Sequence, residues 1–199
     1  MKRLLFIPLI LILWGCDPAE KEPHALIVVP NKTIQASAVN IEKKGALLLV
    51  DGQPYSGYLV QYDPAEKVSS TTGYFEGLKE GNSEAFYGNG VLKERRSYLN
   101  NRKHGNHQGW WPNGSKKYDI SFENGLTEGA SLEWYEDGTQ YKAFHYLNGQ
   151  EIGSQKMWEL DGGIRANYVV KNGHRYGLIG LKNCKSVENE EGSLTALAY

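Results

Sequence analysis

A glycine recurs every 24 residues through most of this chain: Gly57, Gly81, Gly105, Gly129, Gly153 and Gly177 stand one period apart without slippage. Five places after each of the first five comes an aromatic residue, Tyr62, Phe86, Trp110, Trp134 and Trp158. The eighth and ninth places carry turn dipeptides, Asn89-Gly90, Asn113-Gly114, Asp137-Gly138 and Asp161-Gly162. The seventeenth place holds Tyr74, Tyr98, Phe122, Tyr146 and Val170. A second dipeptide, as in Asn124-Gly125, Asn148-Gly149 and Asn172-Gly173, precedes the next glycine. Self-similarity at a fixed period of this length marks a repeat architecture, in which each unit buries apolar surface mainly against its neighbours.

Two turn signals per unit leave runs that suit short strands, so the spacing predicts an all-β fold. The expectation is an elongated antiparallel β-meander, or ribbon, built from tandem 24-residue β-hairpin repeats. Asn-Gly and Asp-Gly favour the type I′ turn, whose positive φ values match the twist of a two-stranded hairpin. Period-2 alternation supports strands: Lys116, Tyr118, Ile120 and Phe122 fall on one face, Lys117, Asp119 and Ser121 on the other. Ile164, Ala166, Tyr168 and Val170 repeat the apolar face. The period glycines are expected to take positive φ or a bulge and to bend the ribbon in one sense. At two strands per unit and about 4.8 Å per strand, the ribbon is roughly 50 Å long. Its end units are atypical: Asp63-Pro64-Ala65-Glu66 replaces the first Asn-Gly turn, and Lys182 takes the last aromatic place. Lys182 and Lys185 are expected to discourage pairing at the exposed edge.

The N-terminus has a different character. Lys2-Arg3 precede an apolar run from Leu4 to Trp14, too short to span a bilayer as a helix, and this reads as a cleaved export signal. Leu13-Trp14-Gly15-Cys16 resembles a bacterial lipobox, although Trp14 replaces the usual small residue. That resemblance implies a diacylated Cys16, and two or more acyl chains anchor a protein stably. The alternative is an ordinary cysteine in a signal anchor. Residues 1–15 are therefore expected to be a lipoprotein signal peptide, and 16–44 a charged, proline-bearing tether with a short strand at Ala25 to Val29. Residues 45–185 form the repeat domain, with Ala46 to Val50 as its first core strand, and 186–199 a loose tail. The formal net charge is −1 and becomes more negative once Lys2 and Arg3 are removed. That excludes the clustered basic excess of a nucleic-acid binder.

The repeat resembles the MORN repeat (membrane occupation and recognition nexus) in its bacterial 24-residue variant. The matching residues are Asn124-Gly125 to Gly129, the Trp-Tyr-x-x-Gly centre from Trp134 to Gly138, and the return from Tyr146 to Gly149. The likeness covers residues 51 to about 177. It implies an extended β scaffold for protein or membrane contacts and no catalytic residue. Proteins of this kind are commonly labelled antitoxin components. The stretch from Lys171 to Cys184 resembles the C-terminal ending of a subgroup of these lipoproteins, one associated with copper-chaperone proteins.

The chemistry-bearing residues are few. There is no phosphate-binding glycine loop, no Gly-x-Ser-x-Gly elbow and no Cys-x-x-Cys pair. His104 and His107 flank Gly105 at a spacing that converges on a strand only if the glycine bulges. Exposed turn histidines are the plainer reading. The in-register aromatics at place five are expected to pack as a core ladder. The adjacent Tyr87, Trp111 and Tyr135 point to the other face by alternation and are the candidate partner-binding residues, since Trp and Tyr dominate interface anchors. Cys184 is an unpaired thiol if Cys16 is acylated, and with His174 it is a weak candidate for soft-metal or thiol chemistry against a plain packing role.

The sequence thus predicts a non-enzymatic, lipid-anchored scaffold in the bacterial envelope, facing the periplasm or the outside. It needs no cofactor, contacts the membrane through Cys16, binds an unidentified protein and does not bind nucleic acid. The alternatives are an accessory factor for thiol or copper handling through Cys184, and an antitoxin-like binding protein. An export signal counts against the second, because an antitoxin must share its toxin's compartment.

Overall fold

The computed structural model describes residues 27–180 and two short strands near the C-terminus. Almost everything described is strand. The order is β1 (Thr33–Gln35), β2 (Ile41–Lys44), β3 (Leu47–Val50), β4 (Gln53–Pro54), β5 (Gly57–Asp63), β6 (Val68–Phe75), β7 (Leu78–Tyr87) and β8 (Leu92–Leu99). There follow β9 (Arg102–Lys103), β10 (Gly105–Trp110), β11 (Lys116–Glu123), β12 (Leu126–Trp134), β13 (Gln140–Leu147), β14 (Gln150–Glu151), β15 (Gly153–Trp158), β16 (Ile164–Lys171) and β17 (His174–Leu178). A three-residue 3-10 turn at Ala36–Ala38 is the one described departure towards helix. β18 (Val187–Glu188) and β19 (Leu194–Thr195) pair with each other inside the stretch expected to be a loose tail.

The long sheet runs β1-β5-β6-β7-β8-β10-β11-β12-β13-β15-β16-β17, with β9 beside β8 and β14 beside β13. It is an antiparallel meander, as the turn spacing predicts, apart from the parallel pairing of β1 with β5. That pairing changes the N-terminal reading. Residues 27–30 are not strand, whereas Thr33–Gln35 and Ile41–Lys44 are, so part of the expected tether belongs to the folded unit. The reason is local: β2 finds a hairpin partner in β3, and β1 covers the open edge of β5.

The two classes of turn differ in a way their shared dipeptides conceal. Those before the period glycines are type I′ in character: Asn124 and Gly125 have φ of 51° and 88°, Asn148 and Gly149 of 50° and 77°. At the opposite margin only the glycine turns positive, as at Gly114 (φ 86°) and Gly138 (φ 89°). There Gly114 N–H donates to the Trp111 carbonyl at 2.8 Å and Trp111 N–H to the Ser115 carbonyl at 2.9 Å. This is a type I turn closed by a glycine bulge, and the expectation of type I′ turns throughout is corrected. Pro112, with φ locked negative, cannot occupy the first corner of a type I′ turn. The bulge shifts the ladder register at Ala85/Phe86, Gly109/Trp110, Glu133/Trp134 and Met157/Trp158.

The period glycines behave as predicted inside the array. Gly81, Gly105, Gly129 and Gly153 have φ of 68°, 71°, 71° and 63°, whereas the terminal Gly57 and Gly177 are at 141° and 123°. The kink at each interior glycine serves the next turn. Glu80 and Glu128, each just before a period glycine, accept from the turn amides of Asn100 (2.9 Å) and Asn148 (2.7 Å). Ser56 does the same for Glu76 at 2.8 Å. These caps satisfy amides that the bulged ladder leaves without strand partners.

Burial is concentrated at the two ends of the sheet. Leu48, Tyr55, Leu59 and Tyr74 form one cluster, where the small sheet β2-β3-β4 packs on β5 and β6. Phe144, Ala166 and Tyr168 form the other, on β13 and β16. The place-five aromatics are not a buried ladder: Tyr62 is 64% exposed, and Phe86, Trp110, Trp134 and Trp158 are half-buried. They stand beside the bulged turns at the sheet margin, so the mid-strand residues take the core instead. Gly109 shows how tight the middle is, since a methyl there would lie 2.1 Å from the Tyr118 ring.

Candidate interaction surface

Tyr87, Trp111 and Tyr135 form one row. Tyr87 O–H donates to the Trp110 carbonyl at 2.9 Å, Trp111 Nε1–H to the Trp134 carbonyl at 3.1 Å, and Tyr135 O–H to the Trp158 carbonyl at 3.0 Å. Each ring therefore reaches one unit forward, Tyr87 and Trp111 touching the peptide group that carries the next member of the row. The rings lie tip to base along the sheet. All three are half-buried.

Their face follows from their neighbours. Lys117 Nζ lies 4.1 Å from the centre of the Trp111 ring, and Lys93 Nζ 5.7 Å from that of Tyr87. Tyr135 meets Tyr141 edge-on at 5.1 Å. Lys116, on the opposite side of β11, lies instead near Trp110 at 5.4 Å. The two adjacent aromatics thus point to opposite faces, with the period-2 rule restored beyond each bulge.

A second row of bonds runs beneath the first. Asn89 Nδ2 donates to the Pro112 carbonyl at 2.9 Å, and Asn113 Nδ2 to the Glu136 carbonyl at 3.0 Å. Their Oδ1 atoms close the turns by accepting from Val91 and Ser115 amides. Asp137 and Asp161 accept in the same way, from Thr139 and Gly163. A carboxylate has no N–H to send forward, so this ladder ends with Asn113. The aromatic ladder ends with Glu159, which stands at the next place and pairs with Arg165 at 3.7 Å. Sequence reading found the rings and placed the asparagines in turns, but missed the asparagines' forward bonds and the lysines' ring contacts, although both residue types recur at the 24-residue spacing.

The histidine pair is not a site. His107 is buried, its Nε2 lies 2.7 Å from the Ser97 carbonyl, and its ring meets Phe122 at 4.6 Å and Tyr98 at 5.6 Å. The expectation of exposed turn histidines fails here, because place two of each unit faces the buried side. Burial depresses the His107 pKa, with Lys103 and Arg96 adding to the effect against the Ser97 carbonyl. His104 occupies the place of the capping glutamates, and its Nδ1 is buried without a hydrogen-bond partner among the described residues. His145 and His174 are exposed. Cys16, Cys184, Lys182 and Lys185 lie outside the described residues. Among the described residues no group of three His, Cys, Asp or Glu side chains could hold a metal ion.

Two of the hollows involve residues named above. One of about 180 Å³ is lined by Arg96, Lys103, His107, Tyr118, Phe122 and Glu133. Its volume falls below the roughly 300–1,000 Å³ of small-molecule sites. Its charges are already matched: Arg96 to Glu94 at 2.5 Å and Lys142 to Glu133 at 2.9 Å. Burial works against the Arg96 charge, but Tyr118 and Glu94 hold its pKa above the usual value. A larger hollow of about 490 Å³ beside Tyr62 and Asp63 has its Glu66 taken by Lys93. Against known proteins, no family model matches the chain and no curated protein matches it.

Proposed function

We propose that this chain is a non-enzymatic scaffold of the MORN-repeat kind, anchored through acylated Cys16 and making its contacts outside the cytoplasm. The observation that carries the reading is the row Tyr87, Trp111 and Tyr135: three aromatic side chains held in file on one face of a long single-layer sheet. Fixed aromatics lose little conformational freedom on binding, which is what an interface anchor requires. The lipobox-like Leu13 to Cys16 supports the anchor, and among the described residues no helix is long and apolar enough to cross a membrane.

The test combines mass and capture. The wild-type protein is expected to start at Cys16 and to carry acyl chains, both lost in Cys16→Ser. Equal mature masses without acyl chains in the two proteins would refute the anchor. Trp111→Ala is expected to weaken capture of the bound protein by about 2 kcal/mol or more. A circular-dichroism spectrum matching wild type separates that loss from unfolding.

A further inference from the structure

The row of rings has a shape that points to a ligand class, an inference that rests on reading this face as the contact surface. Each ring tip bonds to the backbone one unit ahead, so the long axes of Tyr87, Trp111 and Tyr135 align with the sheet and not with its strands. The result is a file of aromatic rings, a strip along the margin of one face. Successive rings are two strand spacings apart, about 10 Å. The strip is rigid, because the polar end of every ring is tied down. Lys117 rests over the Trp111 ring on a flexible stem that can swing aside, whereas Lys93, near the Tyr87 ring, is held by Glu66.

An extended β-1,4-linked glycan presents apolar patches at one fixed interval. Its sugars turn over at each linkage, so every second one offers the same C–H face, and a disaccharide is about as long as two strand spacings, near 10 Å. Sugar C–H faces are apolar plates that match aromatic faces, while their hydroxyls remain available to water and to lysine. We infer that Tyr87, Trp111 and Tyr135 form a stacking platform for a linear β-1,4-linked glycan lying across the strands, with alternate sugars seated on successive rings and the Lys117 ammonium group moved to its flank.

The full-length protein in detergent, titrated with cellohexaose and with chitohexaose and followed by tryptophan fluorescence and calorimetry, tests this. A six-sugar chain spans all three rings and a disaccharide only one, so the hexasaccharide is expected to bind at least about tenfold more tightly than the matching disaccharide. Trp111→Phe keeps an aromatic face without the Nε1 donor and should retain binding. Trp111→Leu should lose at least about tenfold. If Trp111→Leu does not fold, Tyr87→Leu and Tyr135→Leu carry the same expectation. No binding of either hexasaccharide overturns the proposal, as does binding that is indifferent to chain length or to these rings. If glycans do not bind while protein capture still depends on Trp111, the glycan proposal fails and the scaffold reading stands.

Discussion

At the scale of single residues, place two of each unit shows how one position takes different chemistry. Leu59, His107, Ser131 and Gln155 are all buried there. Each polar one needs a partner: Gln155 Nε2 donates to the carbonyls of His145 and Ile152, and His107 uses the Ser97 carbonyl. His107 makes stability depend on pH. Its folded pKa lies below its ordinary value of about 6.5, so just under that value the unfolded chain binds protons that the folded chain refuses. Its contribution is complete above about pH 6.5 and declines as pH falls towards the folded pKa. Urea melts of wild type and His107→Gln between about pH 7.5 and 5 are expected to show the steeper loss in wild type. Parallel profiles would mean that His107 has the same pKa in the folded and unfolded chains.

At the scale of the hairpin, the Asn-or-Asp choice at place eight decides whether the turn sends a side-chain bond to the unit after it. Asn113 closes its own turn through Oδ1 and reaches Glu136 through Nδ2; Asp137 only closes its turn. Asn113→Asp keeps the acceptor and deletes the donor, so a loss of about 0.5–1.5 kcal/mol is expected. Chemical denaturation should show it as a lower midpoint with an unchanged slope. A variant as stable as wild type would show that the bond from Ser115 Oγ to the same carbonyl, at 2.7 Å, suffices alone.

For the whole molecule, the two buried clusters sit near the ends, and the units between them are joined by ladder hydrogen bonds, turn caps, ion pairs and the packing of His107 on Tyr98 and Phe122. Nearest-neighbour stability follows from that arrangement. Deleting residues 129–152, one complete unit, would bring Trp111 opposite the Trp158 carbonyl in place of Trp134. The shortened chain is expected to keep a strand-dominated far-ultraviolet spectrum and to unfold with a smaller denaturant slope, in proportion to the surface lost. Loss of all strand signal would instead show that Phe144, removed by this deletion, anchors the fold.

The 24-residue period by itself determined the strand class, the antiparallel order and the positive φ of the interior glycines, because these depend on local backbone preference repeated in register. Alternation beyond each turn also placed Tyr87, Trp111 and Tyr135 opposite their aromatic neighbours. The tertiary structure alone decided the rest. Whether an Asn-Gly pair makes a type I′ turn or a bulged type I turn depends on the residue before it and on the ladder it must close, as Pro112 shows. Whether a periodic aromatic is core or margin depends on the bulge beside it, which keeps Trp110 and Trp134 half-exposed while His107 goes inside. The forward bonds of the row join residues 23 positions apart, a distance across which no local rule acts, and only the stacking of one hairpin on the next brings them together.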